Sequence, residues 1–317
     1  MRDFSPFADP DAAPLAPGKF VDPERTAKGE RRASVTLDTL RTLWLNTGTL
    51  CNLACQTCYI ESSPRNDALV YLRSDEADRF LDELGEPIEV GFTGGEPFMN
   101  PDIVAMLASA LHRGHRVLVL TNAMRPMRRH EAALLALAGA FPGRLTLRIS
   151  LDHHSQAVHE AERGPRTWDK AIDGLRWIAR SGIRCAVAGR LLPNESETQA
   201  RRGYAQLFGQ IGLPLDAYDP AALILFPEMD AAADVPEISE SCWAILGLSP
   251  EVAMCHSSRM IVHRKGQAAA EVAACTLLPY DVQFLLGSTL STARRTVALN
   301  HPHCARFCVL GGASCSA

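Results

Sequence analysis

Six short runs rich in Leu, Val or Ile lie between Thr42 and Phe226, and each of the first five gives way to a longer run with helical spacing. The short runs are TLWLNTG (42–48), IEVGFTG (88–94), RVLVLTN (116–122), RLTLRISLD (144–152), RCAVAGRLL (184–192) and AALILF (221–226). Between them lie SDEADRFLDEL, PDIVAMLASALHR, HEAALLALAGA, PRTWDKAIDGLRWIARSG and SETQARRGYAQLFGQIG. In the fourth, Trp168, Ile172, Leu175 and Ile178 recur at the three-to-four spacing of one apolar helix face. Strands that alternate with helices pair parallel through crossovers. Six such units predict an α/β fold, a partial (β/α)6 barrel short of the eight-unit closed form, with its chemistry at the C-terminal ends of the strands.

Composition narrows the function. The 317-residue chain is 47% hydrophobic, enough for a sizeable core, and its net charge of −4 gives no bulk attraction to nucleic acid or to an anionic membrane. The start, MRDFSPFADPDAAPLAPGKF, lacks the apolar core of a signal peptide, and no run of about 20 apolar residues occurs to span a bilayer. A cytoplasmic location is expected, with no nucleic-acid and no membrane partner. Ten cysteines in a reducing compartment then point to metal or redox chemistry in preference to disulfides.

Three segments are expected. Residues 1–34, rich in Pro, Ala and charge, read as a flexible arm with little to bury. Residues 35–236 hold the β/α units. Residues 237–317 carry Cys242, Cys255, Cys275, Cys304, Cys308 and Cys315, with a hairpin expected to turn near Gly266, and read as a small separate domain stapled by metal.

Cys51, Cys55 and Cys58 form C-x3-C-x2-C directly after the first strand, at the catalytic mouth. Structural zinc takes four closed ligands, and no fourth Cys or His is near in sequence. Three thiolates suit a [4Fe-4S] cube with one iron open to a ligand that is not protein. A zinc loop or fortuitously placed buried cysteines are the bland alternatives. Glycines at Gly94 and Gly95 allow close backbone approach to a ligand.

The cysteines, then TGGEP (93–97), Thr121-Asn122 and Ser150-Leu151-Asp152 after successive strands, resemble the radical S-adenosylmethionine (radical SAM) superfamily over about residues 40–228. The resemblance implies an oxidoreductase-type enzyme in which Cys51, Cys55 and Cys58 hold a [4Fe-4S] cluster whose open iron is chelated by S-adenosyl-L-methionine. Reductive cleavage would give a 5′-deoxyadenosyl radical that abstracts hydrogen from substrate. Gly94, Gly95, Glu96, Thr121, Asn122, Ser150 and Asp152 would bind the cosubstrate, Glu96 taking the methionine ammonium. Arg190 is the candidate for the methionine carboxylate, since a guanidinium offers a planar two-pronged donor. His153 and His154 are candidates for substrate contact. Thr57 stands where the family usually has an aromatic residue before the third cysteine, with Tyr59 after it, and His153 follows Asp152 where relatives often carry Gly.

The tail is similar to the family's SPASM and shortened Twitch cluster domains, although its last cysteines run C-x3-C-x6-C where C-x2-C-x5-C is usual. The count implies a second, auxiliary [4Fe-4S] cluster on Cys255, Cys275, Cys304 and Cys308, with Cys315 as first substitute; structural zinc and unligated thiols are the alternatives. Cys185 and Cys242 read as core cysteines. The resemblance also implies a low-potential electron donor such as flavodoxin or ferredoxin. A 34-residue arm is short for a leader-peptide recognition domain, so the expected substrate is a small molecule or short peptide, with peptide or protein maturation as the alternative and a non-catalytic iron–sulfur or zinc protein as the other class.

Overall fold

The computed structural model describes residues 5–315. All six short runs are strands: β1 (Thr42–Asn46), β2 (Glu89–Thr93), β3 (Arg116–Thr121), β4 (Leu145–Ser150), β5 (Arg184–Arg190) and β6 (Leu223–Phe226). They pair in sequence order, each parallel to the next. Helices Ser74–Leu81, Ile103–His112, Glu131–Ala140, Trp168–Ser181 and Glu197–Ile211 make the crossovers. On Trp168–Ser181, Ile172, Leu175 and Ile178 are buried and Trp168 packs at the margin of the core, so the apolar stripe faces the sheet as its spacing predicts. A further helix, Gln156–Arg163, lies between β4 and that helix, where the sequence pattern predicts none.

Parallel pairing keeps ladder partners on the same face. Leu120, Arg148 and Ala186 are successive partners across β3, β4 and β5 and share the concave face. Along β4 the two-residue period then directs Arg148, Ser150 and, just past the strand end, Asp152 into one interior. On β1 the fully buried Trp44 fills the space beside its ladder partner Gly91, where a Cβ would lie 2.3 Å from the ring.

The sheet is wider than six strands. β7 (Ser258–Val262) joins the free edge of β1, also parallel, and β8 (Glu271–Ala273) and β9 (Leu285–Gly287) follow antiparallel, for nine strands ordered β9-β8-β7-β1-β2-β3-β4-β5-β6. β7 and β8 form the hairpin expected around Gly266, which sits at φ +83°. Residues 237–315 thus extend the main sheet and do not build a sheet of their own. The sheet stays open, with β6 and β9 as its edges.

The N-terminal residues, expected to bury little, are anchored. Phe7 is fully buried, Ser34–Val35 pairs with Val297–Ala298, and Arg32 makes a buried ion pair of 2.6 Å with Glu237. Among the described residues no helix is long and apolar enough to cross a membrane.

Candidate functional site

The cysteine loop leaves β1 at Asn46 and is held from three sides. Gly48 turns at φ +113°, and its carbonyl accepts the Gly95 N–H at 2.8 Å while the Leu50 carbonyl accepts the Glu96 N–H at 3.1 Å. A Cβ on Gly95 would lie 2.2 Å from the Leu50 oxygen, and one on Gly94, itself at φ +131°, would lie 2.5 Å from the Gly48 oxygen. Both glycines are therefore required for the two loops to touch. On the third side, the Gln56 N–H donates to the Glu162 carbonyl at 3.1 Å, and the Thr57 N–H and hydroxyl both donate to Glu162 Oε1, at 2.9 and 2.7 Å.

The result is one cavity of about 190 Å³ whose wall includes Cys51, Cys55 and Cys58. Gly94, Gly95, Thr121, Asn122, Ser150, Asp152 and Arg190 also line it. The Leu53 N–H points at the Cys51 sulfur (3.4 Å) and the Ser62 N–H at the Cys58 sulfur (3.3 Å). Burial pushes the Cys51 thiol up to about 12 and the Cys55 thiol up to about 11, so thiolate at neutral pH requires a cationic partner. A metal centre is such a partner.

Glu96 stands behind this wall instead of in it. Its Oε2 accepts the Asn122 N–H at 2.9 Å and its Oε1 accepts the Thr121 hydroxyl at 2.8 Å, which ties the end of β2 to the end of β3. Burial raises its carboxyl to about 7 in spite of these bonds. Arg190 reaches the cavity already engaged: it pairs with Glu228 (2.5 Å) and Glu162 (3.3 Å), bonds the Thr57 hydroxyl, and lies over the Phe7 ring at 4.2 Å. Ser5, from the same N-terminal stretch, donates to Glu162 at 2.6 Å.

Among the wall residues without a counterpart in the sequence reading are Glu162 and Arg163, both from helix Gln156–Arg163. Arg163 grips Asp152 with two bonds, Nε to Oδ2 at 2.5 Å and Nη2 to Oδ1 at 3.0 Å. Burial alone would raise the Asp152 carboxyl, but Arg163, joined by Arg190 and His159, offsets it and holds the group below its ordinary range. The segment QAVHEAER looks solvated; the only sequence signal is the spacing of His159 and Glu162, which places both on its buried face.

His153 and His154 do not line the cavity. Their Nε2 atoms lie 3.3 and 3.2 Å from the two Glu195 oxygens, and all the ligand atoms of the trio fall within 4.8 Å of one another. However, His153 Nδ1 accepts the Ser155 N–H at 3.0 Å, so Nε2 carries the ring proton of the neutral side chain and faces Glu195 as a donor, not a metal as a ligand.

The tail cysteines form a second group. Cys255, Cys275, Cys304 and Cys308 line a separate, smaller cavity whose other walls, Ala274, Leu278, Phe284, Val297 and Leu299 among them, are apolar except for His303. Cys304 and Cys308 lie on a π-helical turn, Cys304–Val309, a rare geometry that is frequent at functional sites. Burial pushes Cys255, Cys275 and Cys308 up to about 12. Beside them Arg259, fully buried, donates to the carbonyls of Ala293, Cys255 and Ser258 at 2.9, 2.6 and 2.8 Å. Cys315, the expected substitute ligand, instead lines the first cavity, where its sulfur accepts from Thr276 at 3.5 Å. Cys242 lies in neither wall, on the short helix Ser241–Leu246.

Residues 45–202 match the family model described as the radical SAM superfamily. The chain belongs to the radical SAM superfamily. It is 28% identical over 162 residues to the AdoMet-dependent heme synthase of Nitratidesulfovibrio vulgaris, covering 50% of this chain and 42% of that one. It is 34% identical over 141 residues to the antilisterial bacteriocin subtilosin biosynthesis protein AlbA of Bacillus subtilis, covering 44% and 30%. The chain thus spans less than half the length of these curated relatives. In fold, it is similar to Streptococcus suis SuiB bound to precursor peptide SuiA, with a TM-score of 0.57 at 13% identity, over 80% of this chain and 63% of SuiB. The open parallel sheet with the cysteine loop after its first strand is the radical SAM partial barrel.

Proposed function

We propose that this radical SAM chain is an enzyme that cleaves S-adenosyl-L-methionine reductively at a [4Fe-4S] cluster on Cys51, Cys55 and Cys58. The observation that carries this reading is the joint wall: three free thiols and the glycine, hydroxyl, amide and carboxylate groups from the ends of β2, β3 and β4 face one cavity. A reduced cluster with bound S-adenosyl-L-methionine supplies a 5′-deoxyadenosyl radical for hydrogen abstraction. The protein's part is placement and shielding. Gly94 and Gly95 bring backbone against the cysteine loop, Thr121, Asn122, Ser150 and Asp152 offer polar contacts at the rim, and Arg163 orients Asp152. Arg190 holds the loop through Thr57 and Glu162 and thereby acts as a positioning residue. Phe7, packed on Arg190, helps exclude water.

The tail group is assigned a second, auxiliary [4Fe-4S] cluster on Cys255, Cys275, Cys304 and Cys308, so that residues 237–317 serve as the cluster-bearing unit attached to the sheet edge. Two features support iron–sulfur over zinc. In a zinc tetrahedron the sulfurs stand only about 3.8 Å apart, given bonds of about 2.3 Å. Among the described residues no three cysteine sulfurs fall within 4.8 Å of one another, a wider spread that suits the corners of a cube. Arg259 in addition places a buried cation beside a group that four thiolates would make negative.

The substrate class favoured is a peptide. AlbA is by name a bacteriocin biosynthesis protein, and SuiB holds a precursor peptide. A low-potential flavodoxin or ferredoxin would deliver the electron.

The test is anaerobic reconstitution of the full chain followed by iron counting and assay of 5′-deoxyadenosine after reduction. About eight irons per chain and deoxyadenosine formed only with S-adenosyl-L-methionine are expected, at four irons per cluster. A chain that takes up no iron and forms no deoxyadenosine would sink the reading.

A further inference from the structure

Three guanidiniums line the first cavity. Two are paired, Arg163 with Asp152 and Arg190 with Glu228 and Glu162. The third is Arg148, which lies one inward position deeper on β4 than Ser150, roughly 7 Å further from the rim. It is 3% exposed. Its Nη1 donates to the Cys315 carbonyl at 2.6 Å, while its Nε, which with Nη2 makes the planar edge of the group, has no partner. Among the described residues no carboxylate forms an ion pair with it; the acidic groups that favour its charge are first the Cys315 thiol and then Glu89.

A buried cation with an idle donor is costly unless something anionic completes it. Leu120, Ala188, Phe226, Leu277 and Phe307 supply apolar walls in the same cavity. We propose that Arg148 anchors a carboxylate of the substrate, met edge-on by the Nε side of the guanidinium, with a small apolar group held against those walls. The inference rests on the functional reading above in taking this cavity as the place of reaction, and it narrows the substrate to one that presents a carboxylate deep in the barrel, below the level of the rim residues. A peptide meets that requirement through its C-terminus or through an acidic side chain.

Binding can be read without turnover. The reconstituted full chain is titrated with N-acetyl-leucine and N-acetyl-phenylalanine, with the primary amide of each, with an N-acetyl-aspartate whose main-chain carboxyl is amidated, and with inorganic phosphate, following the unfolding midpoint. Saturable stabilisation by the acids and none by the amides is expected; the leucine and phenylalanine acids report a C-terminal carboxylate and the aspartate derivative a side-chain one. Arg148→Lys should weaken the acids several-fold and Arg148→Gln at least tenfold. Equal shifts from acids and amides, a preference for phosphate over every carboxylate, or acid binding unchanged in a folded Arg148→Gln would each overturn the proposal. Should that variant fail to fold, the acid–amide pairs on the wild-type chain decide. The same titration on chain saturated with S-adenosyl-L-methionine should keep its shift; if the cosubstrate abolishes it, the acid occupies the place of the methionine carboxylate and the proposal falls. If S-adenosyl-L-methionine itself produces no shift and no cleavage, the functional reading fails while the acid–amide preference still stands or falls by its own result.

Discussion

Cys51, Cys55 and Cys58 sit on a loop at the rim of the sheet, amid hydrogen bonds and paired charges, whereas Cys255, Cys275, Cys304 and Cys308 sit in an apolar pocket whose nearby cation, Arg259, touches carbonyls only. The rim offers three thiols and a cavity; the tail offers four thiols and very little space beyond them. An open coordination position needs room for an exchanging ligand and polar groups to hold it. A closed one needs the exclusion of water, which low dielectric walls provide. The same residue type is thus directed to two tasks by its surroundings, and the most direct way to break the contrast is to remove one set. Joint replacement of Cys51, Cys55 and Cys58 by Ala should reduce deoxyadenosine formation to the buffer background. About four irons per chain should remain, those of the tail. Loss of all iron in that variant would show the two groups to be one coupled centre.

Charge pairing is the next point of contrast. At the rim, Arg163 and Asp152 are both buried and joined by two bonds. Arg163→Gln strands the carboxylate, and breaking a buried pair from one side costs about 3–5 kcal/mol. Urea unfolding of the cofactor-free chain should show that loss, and the double variant with Asp152→Asn should recover most of it. In the tail, Arg259 has only carbonyl partners, so Arg259→Met abandons acceptors but no charge, at about 1–3 kcal/mol. In the reconstituted chain it should also make the auxiliary cluster harder to reduce, because a neighbouring positive charge is gone. Equal losses for the two arginines would erase the distinction drawn between the sites.

How much of this was legible beforehand follows the same division. The six strands and the crossovers could be read because burial on one face imposes a period on local sequence. The rim ligand candidates could be read because strand ends converge by topology, and a motif after each strand marks the convergence. Helix Gln156–Arg163 could not: its buried residues, His159 and Glu162, are polar, and the partners of Glu162, Thr57 and Ser5, lie far away in sequence. Nor could the anchoring of the N-terminal stretch, since Phe7 lies in a run rich in Pro, Ala and charge and its counterpart is the distant guanidinium of Arg190. The attachment of β7 to β1 was likewise hidden, because strand pairing between residues 42–46 and 258–262 leaves no local trace. Arg148 was passed over as one polar residue in the alternation of β4, although the same two-residue period that selected Ser150 and Asp152 includes it.

The last test asks where the rim charge resides. Glu96 is buried and its carboxyl is raised from 4.5 to about 7 by that burial. Below pH 4.5 both folded and unfolded chains hold the proton and no penalty arises. As the pH rises toward 7 the unfolded chain ionises first, so stability falls, and above the folded value the penalty is complete, on the order of 3 kcal/mol at 1.36 kcal/mol per pKa unit. Glu96→Gln does not titrate. It loses some geometry with Asn122 and Thr121 at every pH, but the stability of the variant minus that of the wild type should climb between pH 4.5 and 7 and then level off. Denaturant midpoints of the cofactor-free proteins across that range measure the climb, and a difference independent of pH would show that the carboxylate is already ionised in the folded chain. If S-adenosyl-L-methionine sets its ammonium against this carboxylate, saturating the reconstituted chain flattens the climb, because that contact favours the charged form. A climb that persists undiminished would place the methionine ammonium elsewhere on the rim and leave Glu96 as the tie between β2 and β3.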